Sequence, residues 1–162
     1  MYFSLIDKID QLTPGESIVA TKSLAMSEEY LRDHFPKFPV MPGVFMIEAM
    51  TQASAWLIRA TENFAHSIVV LKETKNVKFG QFLQPGQTMV VTSKIISDSD
   101  NETVFKAQGS IEGQVRIRAQ LTLAKYNISE VSSRQAIFDQ RVVDSLKKEF
   151  ALLWDGFRDL PE

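Results

Sequence analysis

The sequence predicts an α+β fold: an antiparallel sheet of five or six strands wrapped around one long apolar helix, with an extra amphipathic helix at the C-terminal end. Three observations carry this. From Gly43 to about Thr61 the residues are good helix formers with no further Gly or Pro, and they are apolar nearly all round. Such a helix is one buried nearly all round, which a wrapping sheet achieves better than a flat one. Four β-rich runs follow, Ser67–Phe79, Gln87–Asp98, Glu102–Ile111 and Val115–Tyr126. In the fourth, Ile117, Ala119, Leu121 and Leu123 alternate with Arg116, Arg118, Gln120 and Thr122, the pattern of an antiparallel strand with one buried face. Finally, from Ser132 onward the apolar period changes from two residues to three or four.

Taken in order, residues 2–12 carry Leu5, Ile6, Ile9 and Leu12, a weak one-faced helical pattern that Pro14-Gly15 ends. Glu16 to Leu24, with Ile18-Val19-Ala20, reads as a strand. Pro36, Pro39 and Pro42 make the stretch from Asp33 to Gly43 stiff and non-helical, since each fixes its own φ and holds its predecessor extended. Pro85-Gly86, the polar turn Asp98–Asn101, and Gly113 separate the four β runs. Ser132 and Gln135 have capping-box spacing, with Val131 placed to staple against Ala136. Phe138, Val142, Leu146, Phe150, Leu153 and Phe157 then mark one face of a helix over 132–156, blemished by Asp139 and Glu149 and stopped at Gly156. The expected organisation is one domain over 1–127 with a helical extension over 128–162.

Composition narrows the function. The 162 residues carry a net charge of −2 with no Lys/Arg run, which gives no reason to expect nucleic acid or a membrane surface. The absence of cysteine excludes disulfides, thiolate nucleophiles and cysteine metal sites. Acids interrupt the short apolar stretch at the N-terminus, so it is not read as a signal peptide, and the expected location is the cytoplasm.

One carboxylate is out of place. Between Val44 and Ile58, Glu48 is the single ionisable side chain. A buried, isolated carboxylate is costly unless neutralised, paired or hydrogen-bonded, and one kept protonated is what a general acid requires. Gln52, one turn on, is placed to orient it. His34, one of two histidines, opens the proline-stiffened segment and is the residue type of a base near neutral pH. Gly43 starts the helix, where backbone N–H groups lack partners and carry the positive end of the dipole. A base, an acid and a helix N-terminus aimed at a carbonyl oxygen suit removal of an α-proton and expulsion of a β-hydroxyl. Spacing alone does not say whether His34 and Glu48 meet within one chain.

The run from His34 through Pro36, Pro39, Pro42-Gly43 and Glu48 to Gln52 resembles the active-site signature of bacterial 3-hydroxyacyl-[acyl-carrier-protein] dehydratases of the hot-dog superfamily. The resemblance extends to Leu5–Ile9, Pro14-Gly15, Val77-Lys78-Phe79 and Leu83–Gly86, and so covers residues 2–126. It implies a hot-dog fold in which His34 abstracts the C2 proton and Glu48 protonates the departing C3 hydroxyl. The Gly43 and Val44 amides would bind the thioester carbonyl, Gln52 would support Glu48, and Phe38, Phe45 and Met46 would line the acyl tunnel. Glu rather than Asp at 48 is similar to the dehydratase-only branch. The family pairs the His of one subunit with the acid of the other, so a homodimer or a trimer of dimers is implied, with the substrate on an acyl-carrier protein. No metal or organic cofactor is implied.

The chain departs from the signature at Lys37-Phe38, where Gly-His is usual, and at Asp33, where a small residue is usual; residues 128–162 are extra. A hot-dog thioesterase and a catalytically silent acyl-binding paralogue are the alternative readings. Arg116, Arg118, Lys72, Lys75 and Lys78 are expected either to face water or to form a docking surface for an acidic carrier. His66 is expected as a solvated loop residue.

Overall fold

A computed structural model describes residues 3–155. Strands β1 (Lys8–Thr13) and β2 (Ser17–Ser23) precede helix α1 (Gly43–Thr61). Strands β3 (Ile68–Phe79), β4 (Thr88–Asp98), β5 (Glu102–Ile111) and β6 (Gln114–Tyr126) follow it. Two short pieces, α2 (Ile128–Val131) and a 3₁₀ turn at Ser133–Gln135, lead into α3 (Ala136–Leu153). The six strands form one antiparallel sheet in the order β1-β2-β4-β5-β6-β3. Helix α1 touches every strand, so the sheet wraps it as expected. Gly156 and Phe157, the expected stop and last step of the C-terminal helix, lie outside the described residues.

The inner face follows the predicted alternation. Phe105, Ala107 and Ile111 of β5 and Ile117, Ala119, Leu121 and Leu123 of β6 are buried against Met46, Met50, Ala53 and Leu57 of α1. One polar pair docks helix to sheet: the Ser54 and Ser93 hydroxyls lie 2.6 Å apart, and Ser54 also donates to the Met50 carbonyl.

Residues 8–13 are a strand rather than the expected helix. Ile9 faces Ala20 and Leu12 faces Ile18, with a register shift between Ile9 and Gln11. The extra residue at this bulge, Asp10, turns a spacing of two into a spacing of three while keeping both apolar side chains on the core side. A bulged strand thereby imitates a helical period.

The C-terminal helix begins later than expected, and its apolar stripe differs only in its first part. The capping box is made by Asn127 and Glu130 at α2, not by Ser132 and Gln135. Phe138 is exposed, whereas Leu146, Phe150 and Leu153 pack on the core as expected, joined by Val143 and Trp154. Asp139, read as a blemish, lies on the inward side and ties α3 down: it accepts from Ser67 Oγ and from the backbone N–H groups of Ile128 (2.8 Å) and Ser129 (3.0 Å). These bonds, Ser67 first, hold its carboxyl well below the ordinary 3.8, at about 2. A depressed carboxylate stabilises the fold above its ordinary value and stops doing so as pH falls through the folded one. Asp139→Asn is therefore expected to lower the melting temperature at neutral pH, with the gap to wild type closing between about pH 4 and pH 2. A gap that stays constant across that acid titration would remove Asp139 as an anchor.

At the other end of α1, the Lys125 ammonium, 1% exposed, is bonded to Glu62 and to Asp98 (2.8 Å). Burial opposes its charge, but the Asp98 and Glu62 bonds outweigh this and raise its pKa. His66 is half-buried against Glu62 (Nδ1 to Oε2, 2.9 Å) rather than loose in solvent. Lys125→Ala leaves two carboxylates without their cation. It should cost about 2–3 kcal/mol in denaturant unfolding, less than a sealed pair because Asp98 reaches water.

Candidate active site

The proline-rich segment is irregular, as its composition predicts, after a single 3₁₀ turn at Glu29–Arg32. His34 sits where that turn ends: its N–H donates to the Tyr30 carbonyl, and its ring Nδ1 lies 3.1 Å from the Val40 carbonyl. A carbonyl oxygen only accepts, so Nδ1 carries the proton of the neutral ring and Nε2 presents a free lone pair. Phe35, at φ +50°, turns the chain immediately after the histidine, and its ring lies edge-on to the imidazole. A basic nitrogen is thus held in one tautomer and one orientation by the backbone.

Pro42 ends the irregular segment, and α1 starts at Gly43. The Pro42 carbonyl takes the N–H groups of Phe45 (2.9 Å) and Met46 (3.2 Å), while those of Gly43 and Val44 make no hydrogen bond among the described residues. They form the free positive end of the helix. Gly43 is closely packed: a Cβ there would lie 2.9 Å from the Phe79 ring and 3.2 Å from that of Phe82. A side chain at 43 would displace those rings, so glycine is what lets the helix start at this place.

Glu48 lies one turn further along, half-buried rather than sealed within the chain. Gln52 holds it as expected, Nε2 donating to Glu48 Oε1 at 3.0 Å. The amide cannot be the other way round. Its Oε1 accepts from the Leu5 N–H at 2.8 Å, and its Nε2 also reaches the Phe3 carbonyl at 3.2 Å. The N-terminal segment therefore aims the amide at the carboxylate.

Glu48 opens on a cavity of about 380 Å³ that also takes in Thr51, Gln52 and Arg59 of α1, Val70 of β3, and Leu146 and Glu149 of α3. His34 is not part of it, and no contact joins His34 to Glu48 among the described residues. Of the residues expected in an acyl tunnel, Met46 is fully buried, Phe45 packs edge-on against Phe3 and Tyr30, and Phe38 is exposed. Arg59, Leu146 and Glu149 were missed. Arg59 obeys the same logic that singles out Glu48, a charge on an otherwise apolar helix, and Glu149 is the second blemish on the C-terminal stripe.

A larger cavity, about 590 Å³, lies on the outer face of the sheet. Lys94 stands opposite Lys106, and Lys78 opposite Arg118, in the strand register, and all four line it. Like charges set opposite each other are unfavourable unless something anionic meets them. Lys72 and Lys75 do not join this group, since Glu102 and Glu73 neutralise them. Arg116 bonds to Gln114 instead.

Comparison with known proteins follows the same lines. A family model described as a FabA-like domain matches residues 1–120. The 3-hydroxyacyl-[acyl-carrier-protein] dehydratase FabZ of Lactobacillus helveticus is 38% identical over 117 residues, 72% of this chain and 79% of that protein. FabZ of Polynucleobacter necessarius is 33% identical over 122 residues, 75% and 82% of the two chains. Among solved structures, the dehydratase heterocomplex ApeI:P from Xenorhabdus doucetiae superposes with a TM-score of 0.68 at 16% identity, covering 82% of this chain and 90% of that one. The smu.793 protein of Streptococcus mutans, bound to acetyl CoA, gives 0.59 at 13%, covering 77% and 91%. At such identities these likenesses speak to the fold alone, the hot-dog arrangement of sheet around helix.

Proposed function

The chain belongs to the FabA-like family, and on that premise we propose that it dehydrates 3-hydroxyacyl thioesters carried on an acyl-carrier protein to trans-2-enoyl thioesters. In this reading His34 Nε2 takes the C2 proton while the Gly43 and Val44 N–H groups hold the thioester oxygen, on which negative charge builds. The C3–O bond then breaks as the Glu48 carboxyl delivers its proton, so that water leaves. Passing the proton from the imidazolium back to the carboxylate restores both groups. Gln52 positions Glu48. The observation that carries the reading is a carboxylate aimed by Gln52 into a cavity one turn beyond two free helix-terminal amides.

Because His34 and Glu48 do not meet in one chain, the working site combines His34 of one copy with Glu48 of the other across a two-fold axis. Exposed Phe79 and Phe82 lie against Gly43 at the start of α1 beside exposed Val44, Phe35 and Phe38 are exposed in the segment leading to it, and β3 is a terminal strand of the sheet, features of a surface that a second copy covers. Phe38, Phe45 and Met46 would shape the acyl tunnel once that surface is closed. The basic basin around Lys78, Lys94, Lys106 and Arg118 suits the acidic carrier. Residues 1–127 form the catalytic unit in this proposal and 128–162 its extension, acting in the cytoplasm. No helix of the described residues is long and apolar enough to cross a membrane.

The test is the purified chain with a 3-hydroxyacyl thioester, following enoyl absorbance and free thiol together. Enoyl product is expected, with kcat/KM lowered about 10²–10⁴-fold in both His34→Ala and Glu48→Gln. Release of thiol in place of enoyl would indicate a thioesterase, and neither product an acyl-binding paralogue.

A further inference from the structure

The cavity beside Glu48 has a polar far end that the dehydration chemistry does not use. Arg59 reaches it from α1, and Leu146 and Glu149 close it from α3, while Thr51 lines the cavity beside Glu48. Thr51 Oγ1 and Arg59 Nε are both buried without a hydrogen-bond partner among the described residues. Those two atoms are covered by protein, so it is the outer nitrogens of the half-buried Arg59 guanidinium that can meet an occupant of the cavity. The Arg59 guanidinium lies over the Trp56 ring, 5.0 Å from its centre. Burial pushes its pKa down to about 10, with the Glu149 charge pulling the other way. Yet Arg59 and Glu149 form no ion pair with each other among the described residues; they face a common space from opposite walls.

That pairing selects among acyl ends. A plain alkyl end would displace water from both charged groups and give neither a partner. A carboxylate end would suit Arg59 and be repelled by Glu149. A hydroxyl accepts from the guanidinium and donates to the carboxylate at once. Helix α1 rises 1.5 Å per residue, so Arg59 lies about 16 Å beyond Glu48. That is on the order of a dozen carbons of a zigzag chain with bonds of about 1.5 Å.

We propose that this cleft takes 3-hydroxyacyl chains whose distal end bears a hydroxyl group, with Arg59 and Glu149 as the specificity-determining pair and α3 as the wall that carries half of it. The inference rests on the dehydratase reading above. Its test compares kcat/KM for two thioesters of about fourteen carbons, one ending in a methyl and one in a hydroxyl, beside a 3-hydroxybutanoyl thioester too short to reach Arg59. The wild-type ratio of hydroxyl-ended to methyl-ended substrate is expected at about ten or more, falling towards one in Arg59→Met and in Glu149→Gln. A ratio between two substrates on one preparation does not depend on how much of a variant is folded. A wild-type ratio near one, or a ratio that either variant leaves untouched, overturns the inference while turnover of the short substrate keeps the dehydratase reading. No enoyl product from any of the three overturns both.

Discussion

Dissociating and re-associating equal amounts of the His34→Ala and Glu48→Gln chains is expected to restore activity that neither has alone, to about a quarter of the wild-type level. The reason is geometric. In a two-fold dimer with sites shared between subunits, a mixed pair gathers both lesions into one site and leaves the other intact. Half of a random population is mixed, and each mixed dimer carries one working site of two. A site built within one chain would give no recovery at all. The measurement is enoyl formation before and after mixing, and a flat result would sink the cross-subunit assignment even if both single variants are inactive.

Phe150→Ala is expected to have the largest effect on stability. The ring is fully buried, stacks on Trp56 at 5.6 Å, and meets Phe64 and Trp154 edge-on or tilted. Truncating a buried phenylalanine costs about 3–5 kcal/mol. For a chain of this size that is a melting temperature lower by roughly 6–20 °C. Trp56, 3% exposed under α3, should shift its fluorescence to the red in a Trp154→Phe background. A melting temperature within a degree or two of wild type would mean that α3 does not complete the core.

Much of the architecture was legible because it rests on period and on backbone restriction. Helix α1 shows in its uninterrupted apolar run, β6 in its strict alternation, and the irregular approach to Gly43 in its prolines. The misreadings have specific causes. One inserted residue, Asp10, gave a strand a three-residue spacing. At the C-terminal helix, Asp139 and Glu149 were set aside as exceptions to an apolar stripe, whereas one anchors the helix and the other faces the cavity. Polar residues on an apolar face carry more information than the face itself. At the site, the Gln52–Glu48 bond follows from spacing of four on a helix, but the clamp of Gln52 by Phe3 and Leu5 joins residues more than forty positions apart, and no local pattern announces it. The relation of His34 to Glu48 was illegible for a deeper reason: among the described residues no contact joins them within one chain.

The stacking of Phe150 on Trp56 also bears on how the protein is made. One partner lies in the central helix and the other in α3, which follows all six strands. During synthesis, the sheet and α1 emerge before α3, with an uncovered aromatic side, and remain so until α3 has left the ribosome. The nascent chain thus passes through a stage in which its own sticky surface is on display, and a segment made after the whole sheet is the one that shields it. A transcript cut short just before α3 would yield a protein with all six strands and a greasy flank, prone to clump rather than simply to melt early.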